Sequence, residues 1–190
     1  MRRNIFVETL GTVTFLLLCG PAGASDFSAR FSGFQEIGGL GAGETGAIFS
    51  PGKARLDLDL NRKAQTLKFR LTYSGFPSST SITQAHIHFG KVHVAGGIIV
   101  FFCSNLPNPP PPPGTQPCPT PNGTVMGTIT AASVVGPTAQ NIPAGDFDAL
   151  VDALDSNTAY GNIHTVNFPA GEIRGQIVRG DEDEHEHERE

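Results

Sequence analysis

From Phe27 onward, apolar and polar residues repeatedly alternate with period two, and glycine or proline punctuates each run. That is the pattern of strands with one buried face. Phe27, Ala29 and Phe31 alternate with polar neighbours, and Leu56, Leu58 and Leu60 alternate with Arg55, Asp57 and Asp59. After a polar turn at 61–65, Leu67, Phe69, Leu71 and Tyr73 alternate with Lys68, Arg70 and Thr72, which predicts an antiparallel hairpin with one wet face. Further strands are predicted at 46–50, 82–89, 98–103, 124–130, 160–165 and 172–179. Short strands without intervening helices predict an all-β Greek-key sandwich or barrel. One segment departs from this pattern. Phe147, Leu150, Val151 and Leu154 fall at i, i+3, i+4 and i+7, with Asp146, Asp148 and Asp152 off that stripe, so a short amphipathic helix should cross an open end of the sandwich. Acids near a helix start are favoured by its dipole, and no loop of alternating oxygen ligands follows, so these aspartates do not indicate calcium.

Composition narrows the function classes. The 190 residues, 38% of them hydrophobic, suit one domain with a real core. The net charge of -5 is concentrated at the end of the chain, because 181–190 holds seven acids and one Arg, whereas 25–179 holds ten acids and ten bases. A neutral body has no basic stripe for nucleic acid. At the start, Met1-Arg2-Arg3, the apolar run Leu10–Cys19 and Ala22-Gly23-Ala24 read as a signal peptide over 1–24. The run is too short to span a membrane, which needs roughly 20 apolar residues. The expectation is export to a secreted or periplasmic location without membrane insertion. Acylation on Cys19 is disfavoured by Leu18 before it. The domain is expected at 25–179 and a disordered acidic tail at 180–190, whose His185 and His187 serve solubility more plausibly than metal binding.

Two cysteines remain after cleavage, Cys103 and Cys118, in a compartment that permits oxidation. They flank a proline-rich segment with five consecutive prolines, 109–113, expected to run as polyproline II. A disulfide suits them better than a thiolate metal site, which wants short spacings. Asn122-Gly123-Thr124 is a glycosylation acceptor in a host that performs that chemistry.

Candidate chemistry rests on histidine. In Ala85-His86-Ile87-His88-Phe89 the two His share one strand face, and Ala85, Ile87 and Phe89 take the other. Only the Ile and Phe face suits the core, so His86 and His88 are expected outside, and the same phase puts Ile163 inside and His164 outside. An H-x-H pair spaces its side chains about 6 to 7 Å apart in one direction. A third His from another strand would complete a set suited to copper or, less well, zinc. His93, in the following loop, is a further donor with weaker support.

Four stretches together carry a family resemblance: Ala85-His86-Ile87-His88-Phe89-Gly90, Gly123–Thr130, Asn162-Ile163-His164-Thr165, and Phe168–Ile177 with its G-E-I-R-G-Q motif. They look like the CHRD domain, the module repeated in the developmental antagonist chordin and found alone in secreted bacterial proteins. The resemblance spans about 27–178, agrees with the cysteine pair around a loop, and implies an extracellular setting without a settled activity. More weakly, His86, His88, His164 and Arg174 follow an order similar to that of copper-zinc superoxide dismutases. That comparison implies copper on the three His and Arg174 attracting a small anion; the sandwich is expected to be superoxide dismutase-like or immunoglobulin-like. The chain departs from that pattern: it has no zinc-site cluster of further His and Asp, no bridging His, and its cysteines flank a proline loop.

Three functions are therefore carried forward. The first is a secreted CHRD-domain binding module with a surface copper site at His86, His88 and His164. The second is a copper-dependent, dismutase-like oxidoreductase using Arg174. The third is a metal-free extracellular adhesion or scaffold domain with a protein partner, in which the three His fix strand ends and Arg174 pairs across the sheet with Glu172 or Gln176.

Overall fold

The computed structural model describes residues 26–37, 46–107 and 111–180. The expected signal peptide, Cys19 and nearly all of the acidic tail lie outside the described residues. Among the described residues nine strands form: β1 (Phe27–Ser32), β2 (Lys53–Asn61), β3 (Thr66–Ser74), β4 (Ile82–Phe89), β5 (Gly97–Ser104), β6 (Gly123–Ile129), β7 (Ala159–Thr165), β8 (Ile173–Gln176) and β9 (Val178–Arg179), with one α-helix, α1 (Phe147–Asp155).

The strands make one antiparallel sheet in the order β5-β4-β7-β8-β1-β2-β3-β6, with β9 also pairing to β1. This sheet curls into a nearly closed barrel whose seam lies between β5 and β6. Across the seam, Cys103 at the end of β5 is bonded to Cys118, with Cα atoms 5.0 Å apart. The Ser104 N–H donates to the Gln116 carbonyl at 3.0 Å, and Gln116 Nε2 donates to the Met126 carbonyl of β6 at 2.9 Å. With β5 beside β6, the order β7-β4-β5-β6 is a Greek key: three successive strands with a fourth returning beside the first.

The period-two reading places the core correctly. Leu56, Leu58, Leu67, Leu71 and Tyr73 are buried, whereas Lys68, Arg70 and Thr72 on the other face of β3 are exposed. Phe31 packs over Gly161 and Gly175, which are paired across β7 and β8. A Cβ on Gly161 would come within 2.0 Å of the Phe31 ring, and one on Gly175 within 2.5 Å of the Arg30 carbonyl. Those two glycines therefore form the slot that admits the ring.

α1 starts at Asp146, whose carboxylate accepts from the Ala149 N–H at 2.9 Å and satisfies one of the helix's free donors. The stripe of Phe147, Leu150, Val151 and Leu154 is buried. On the opposite side, Asp155 receives Arg62 from the β2–β3 turn at 2.9 Å and Arg179 from β9 at 2.8 Å. The helix thus closes the barrel end at which these segments meet, as expected.

Two strand expectations need correction. Residues 46–50 form no strand: Ile48 N–H reaches the Gly33 carbonyl at 2.7 Å, beside the 3-10 turn Gly33–Gln35, and Ser50 turns its hydroxyl to Glu172. The predicted strand at 172–179 divides at Ile177, whose N–H bonds back to the Ala159 carbonyl at 3.0 Å while β9 leaves for β1.

Candidate metal centre

His86, His88 and His164 converge. One ring nitrogen from each lies within 4.8 Å of those of the other two, and the ring centroids are 5.1 to 6.1 Å apart. Strand pairing brings this about. β4 lies beside β7, with Gln84 opposite His164 and His86 opposite Asn162, so the H-x-H face of β4 and the His164 face of β7 are continuous.

The expectation that this face is wet is corrected. His86, His88 and His164 are 0%, 8% and 7% exposed. Every residue of β7 is buried, on both faces, because loops fold back over the outside of this part of the sheet. Residues 91–96 are held there by Arg174, whose Nη2 donates to the Lys91 and Val94 carbonyls at 3.1 Å each. Residues 33–37 are held by Asn162 Nδ2 donating to Glu36 at 2.6 Å. The turn after β7 returns the Pro169 carbonyl to His164.

Two of the rings have fixed orientations. His88 Nδ1 lies 3.0 Å from the Gly96 carbonyl and His164 Nδ1 lies 2.9 Å from the Pro169 carbonyl. A carbonyl only accepts, so each Nδ1 carries the proton and each Nε2 presents a lone pair. Among the described residues neither Nε2 has a hydrogen-bond partner, and both nitrogens of His86 also lack one. Buried polar atoms are normally paired, and a cluster of unpaired imidazole nitrogens suits a cation. Three nitrogens at that spacing share a centre within about 2.8 Å of each, so under an ångström of ring movement reaches a metal–imidazole bond of about 2.0 Å. A histidine ligand commonly gives its other N–H to a backbone carbonyl, as His88 and His164 do.

Burial also sets the protonation state. Desolvation, reinforced by the neighbouring His164 and His88, holds His86 well below the ordinary histidine range. Desolvation brings His88 down to about 4, with Arg174 and His164 acting in the same direction against the Gly96 hydrogen bond. His164 is lowered by burial against the opposing Pro169 bond. Near neutral pH all three rings are uncharged, as metal ligands must be.

The surroundings are aromatic. The Phe101 ring meets His86 edge-on at 4.3 Å, and Tyr160 stacks on His88 at 4.8 Å with the planes 7° apart. On Tyr160 lies the Arg174 guanidinium, 3.4 Å from the ring centre. Arg174 is only 2% exposed, so it is not an outward strand residue. It does not pair with Glu172, whose two oxygens accept from Ser50 and Thr165 at 2.6 Å each. Its Nη1 and the Asn162 Oδ1 have no hydrogen-bond partner among the described residues.

The G-E-I-R-G-Q motif thereby acquires physical content: Glu172 ties 46–50 to β7, Arg174 pins 91–96, and Gln176 Nε2 reaches the carbonyls of Asn157 and Ala159 at 2.8 and 2.9 Å. His93 sits exposed in the 91–96 loop, with φ 60°, and is not among the clustered histidines. Sequence reasoning passed over Tyr160, Asn162, Phe101 and Glu36. The first two share the phase of His164 on one strand, a signal that could have found them, whereas nothing local in the sequence links Glu36 to Asn162.

The chain matches the CHRD domain family over residues 27–177. No curated protein and no solved structure shows a significant match to it. A match across most of the chain, carried through the histidine strands and the motif that braces them, shows that this protein belongs to the CHRD domain family.

Proposed function

We propose that this CHRD domain is an exported binding module that holds a transition metal, copper before zinc, on His86, His88 and His164. One observation carries the reading: three buried, neutral imidazoles each bring a ring nitrogen within 4.8 Å of those of the other two, each has a nitrogen without a hydrogen-bond partner among the described residues, and two have their other nitrogen fixed on a backbone carbonyl. A scaffold role for the histidines would leave several buried acceptors unmatched, each costing about 1 to 3 kcal/mol, and a bound ion removes that cost. Export is supported by the signal-peptide pattern, and in the described residues no helix is long and apolar enough to cross a membrane.

The oxidoreductase reading has less behind it. Arg174 stacks on Tyr160 and holds the 91–96 loop, so its position is accounted for without an anion. The test is copper titration of metal-free, tag-free chain in which His185 and His187 are replaced by alanine. One equivalent should bind tightly, and His86→Ala, His88→Ala and His164→Ala combined should abolish that binding. Equal affinity of the triple variant would overturn the proposal.

A further inference from the structure

We infer that the three-histidine centre is selective for a monovalent, low-coordinate ion, copper(I), over copper(II) and zinc(II). The inference rests on the metal-binding reading above and adds to it the charge and coordination number that the site tolerates.

Charge is the first argument. All three ligands are neutral, and no carboxylate or thiolate joins them among the described residues. The buried acids Glu36 and Glu172 are hydrogen-bonded elsewhere. Glu172 has both oxygens engaged by Ser50 and Thr165. Glu36 accepts from Asn162 and from the Ile37 N–H, and its charge acts on Arg174 and Tyr160. The charged side chain that acts on His88 is Arg174, a cation. The cost of burying an ion rises with the square of its charge, and without an anionic ligand a divalent ion keeps its full charge in this enclosure.

Coordination is the second. Zinc in proteins is almost always four-coordinate, and copper(II) prefers tetragonal sets. Here three nitrogens are offered, and His86, whose ring is the one nearest both of the others, is completely buried and meets Phe101 edge-on. A divalent ion would have to bring its own fourth ligand, preferably an anion, into this enclosure. A d10 monovalent ion needs neither the extra ligand nor the extra negative charge.

The experiment compares three ions on the tag-free chain with His185 and His187 replaced by alanine. Copper(I) is titrated anaerobically against a competing chelator of known affinity, and copper(II) and zinc(II) are titrated separately. The expected result is one equivalent of copper(I) bound about a hundredfold or more tighter than zinc(II), with copper(II) also the weaker of the two copper states. Zinc(II) or copper(II) binding as tightly as copper(I) at the same histidines would overturn the selectivity while leaving the metal site standing. No binding of any of the three ions would overturn the metal-binding reading itself, and the selectivity with it. A gain-of-charge variant checks the cause. Phe101→Asp places a carboxylate on the residue opposite His86, and should narrow or reverse the preference by raising zinc(II) affinity at least tenfold. An unchanged ratio in a variant that retains the parent's circular dichroism would count against the charge argument.

Discussion

Each of the three histidines is a buried base whose proton has been driven off by desolvation, and the consequence for folding has a definite sign. Unfolded, each ring titrates near its ordinary value of about 6.5. Above that pH both states are neutral and the rings give no pH dependence. Below it the unfolded chain takes up protons that the native rings refuse, so stability falls, and for His88 the fall continues until its native value of about 4. At pH 5 His88 alone should contribute a loss of about 2 kcal/mol relative to pH 7. Urea unfolding of the metal-free chain at the two pH values measures it, and His88→Ala should remove that part of the dependence. An identical pH response in the variant would show that His88 is not held neutral. The histidine pair and its common face were legible from two-residue spacing. Their burial was not, because alternation reports which residues share a face and says nothing of what covers it. Tyr160 and Asn162 in phase with His164 were the available hint, since an aromatic residue on a supposedly wet face suggests a covering layer.

Strand identities follow from alternation because a residue step of two returns to the same side of the sheet. β2, β3 and β4 accordingly stand where the pattern put them, and α1 follows from its stripe. Residues 46–50 misled because an apolar pair among glycines looks like a strand, although their partner is a 3-10 turn and their anchor is Glu172, far along the chain. Long-range pairing of this kind leaves no local trace. The role of Gly161 and Gly175 is legible only in three dimensions, where they are paired neighbours under the Phe31 ring. Gly161→Ala would force the ring or the strand to move, because the added carbon meets that ring at 2.0 Å. It should destabilise the domain by about 2 kcal/mol or more, read as a lower urea midpoint. A midpoint equal to the parent's would mean that the slot is looser than described.

At the scale of the whole molecule, the barrel has one seam and the disulfide spans it. Cys103→Ser with Cys118→Ser should cost about 3 kcal/mol in the chain-entropy account of a loop this size, measured by denaturant unfolding. No loss would show that the hydrogen bonds of Gln116 suffice to hold the seam. The three-histidine cluster lies elsewhere, under the loops that Arg174, Asn162 and Glu36 fasten to β7 and β8, so the cysteine variant should retain the metal affinity proposed for it. The family resemblance and the histidine order were readable along the chain, whereas the enclosure that gives the histidines their chemistry is a property of the closed barrel. The most direct test of that chemistry is a long-range nitrogen–proton NMR spectrum of the histidine rings, recorded before and after one equivalent of a diamagnetic ion, copper(I) or zinc(II). His88 and His164 should be protonated on Nδ1 in the metal-free chain, with their Nε2 resonances and one of His86 shifting together on binding. Unmoved resonances for these three, with shifts confined to His93, His185 and His187, would contradict that chemistry.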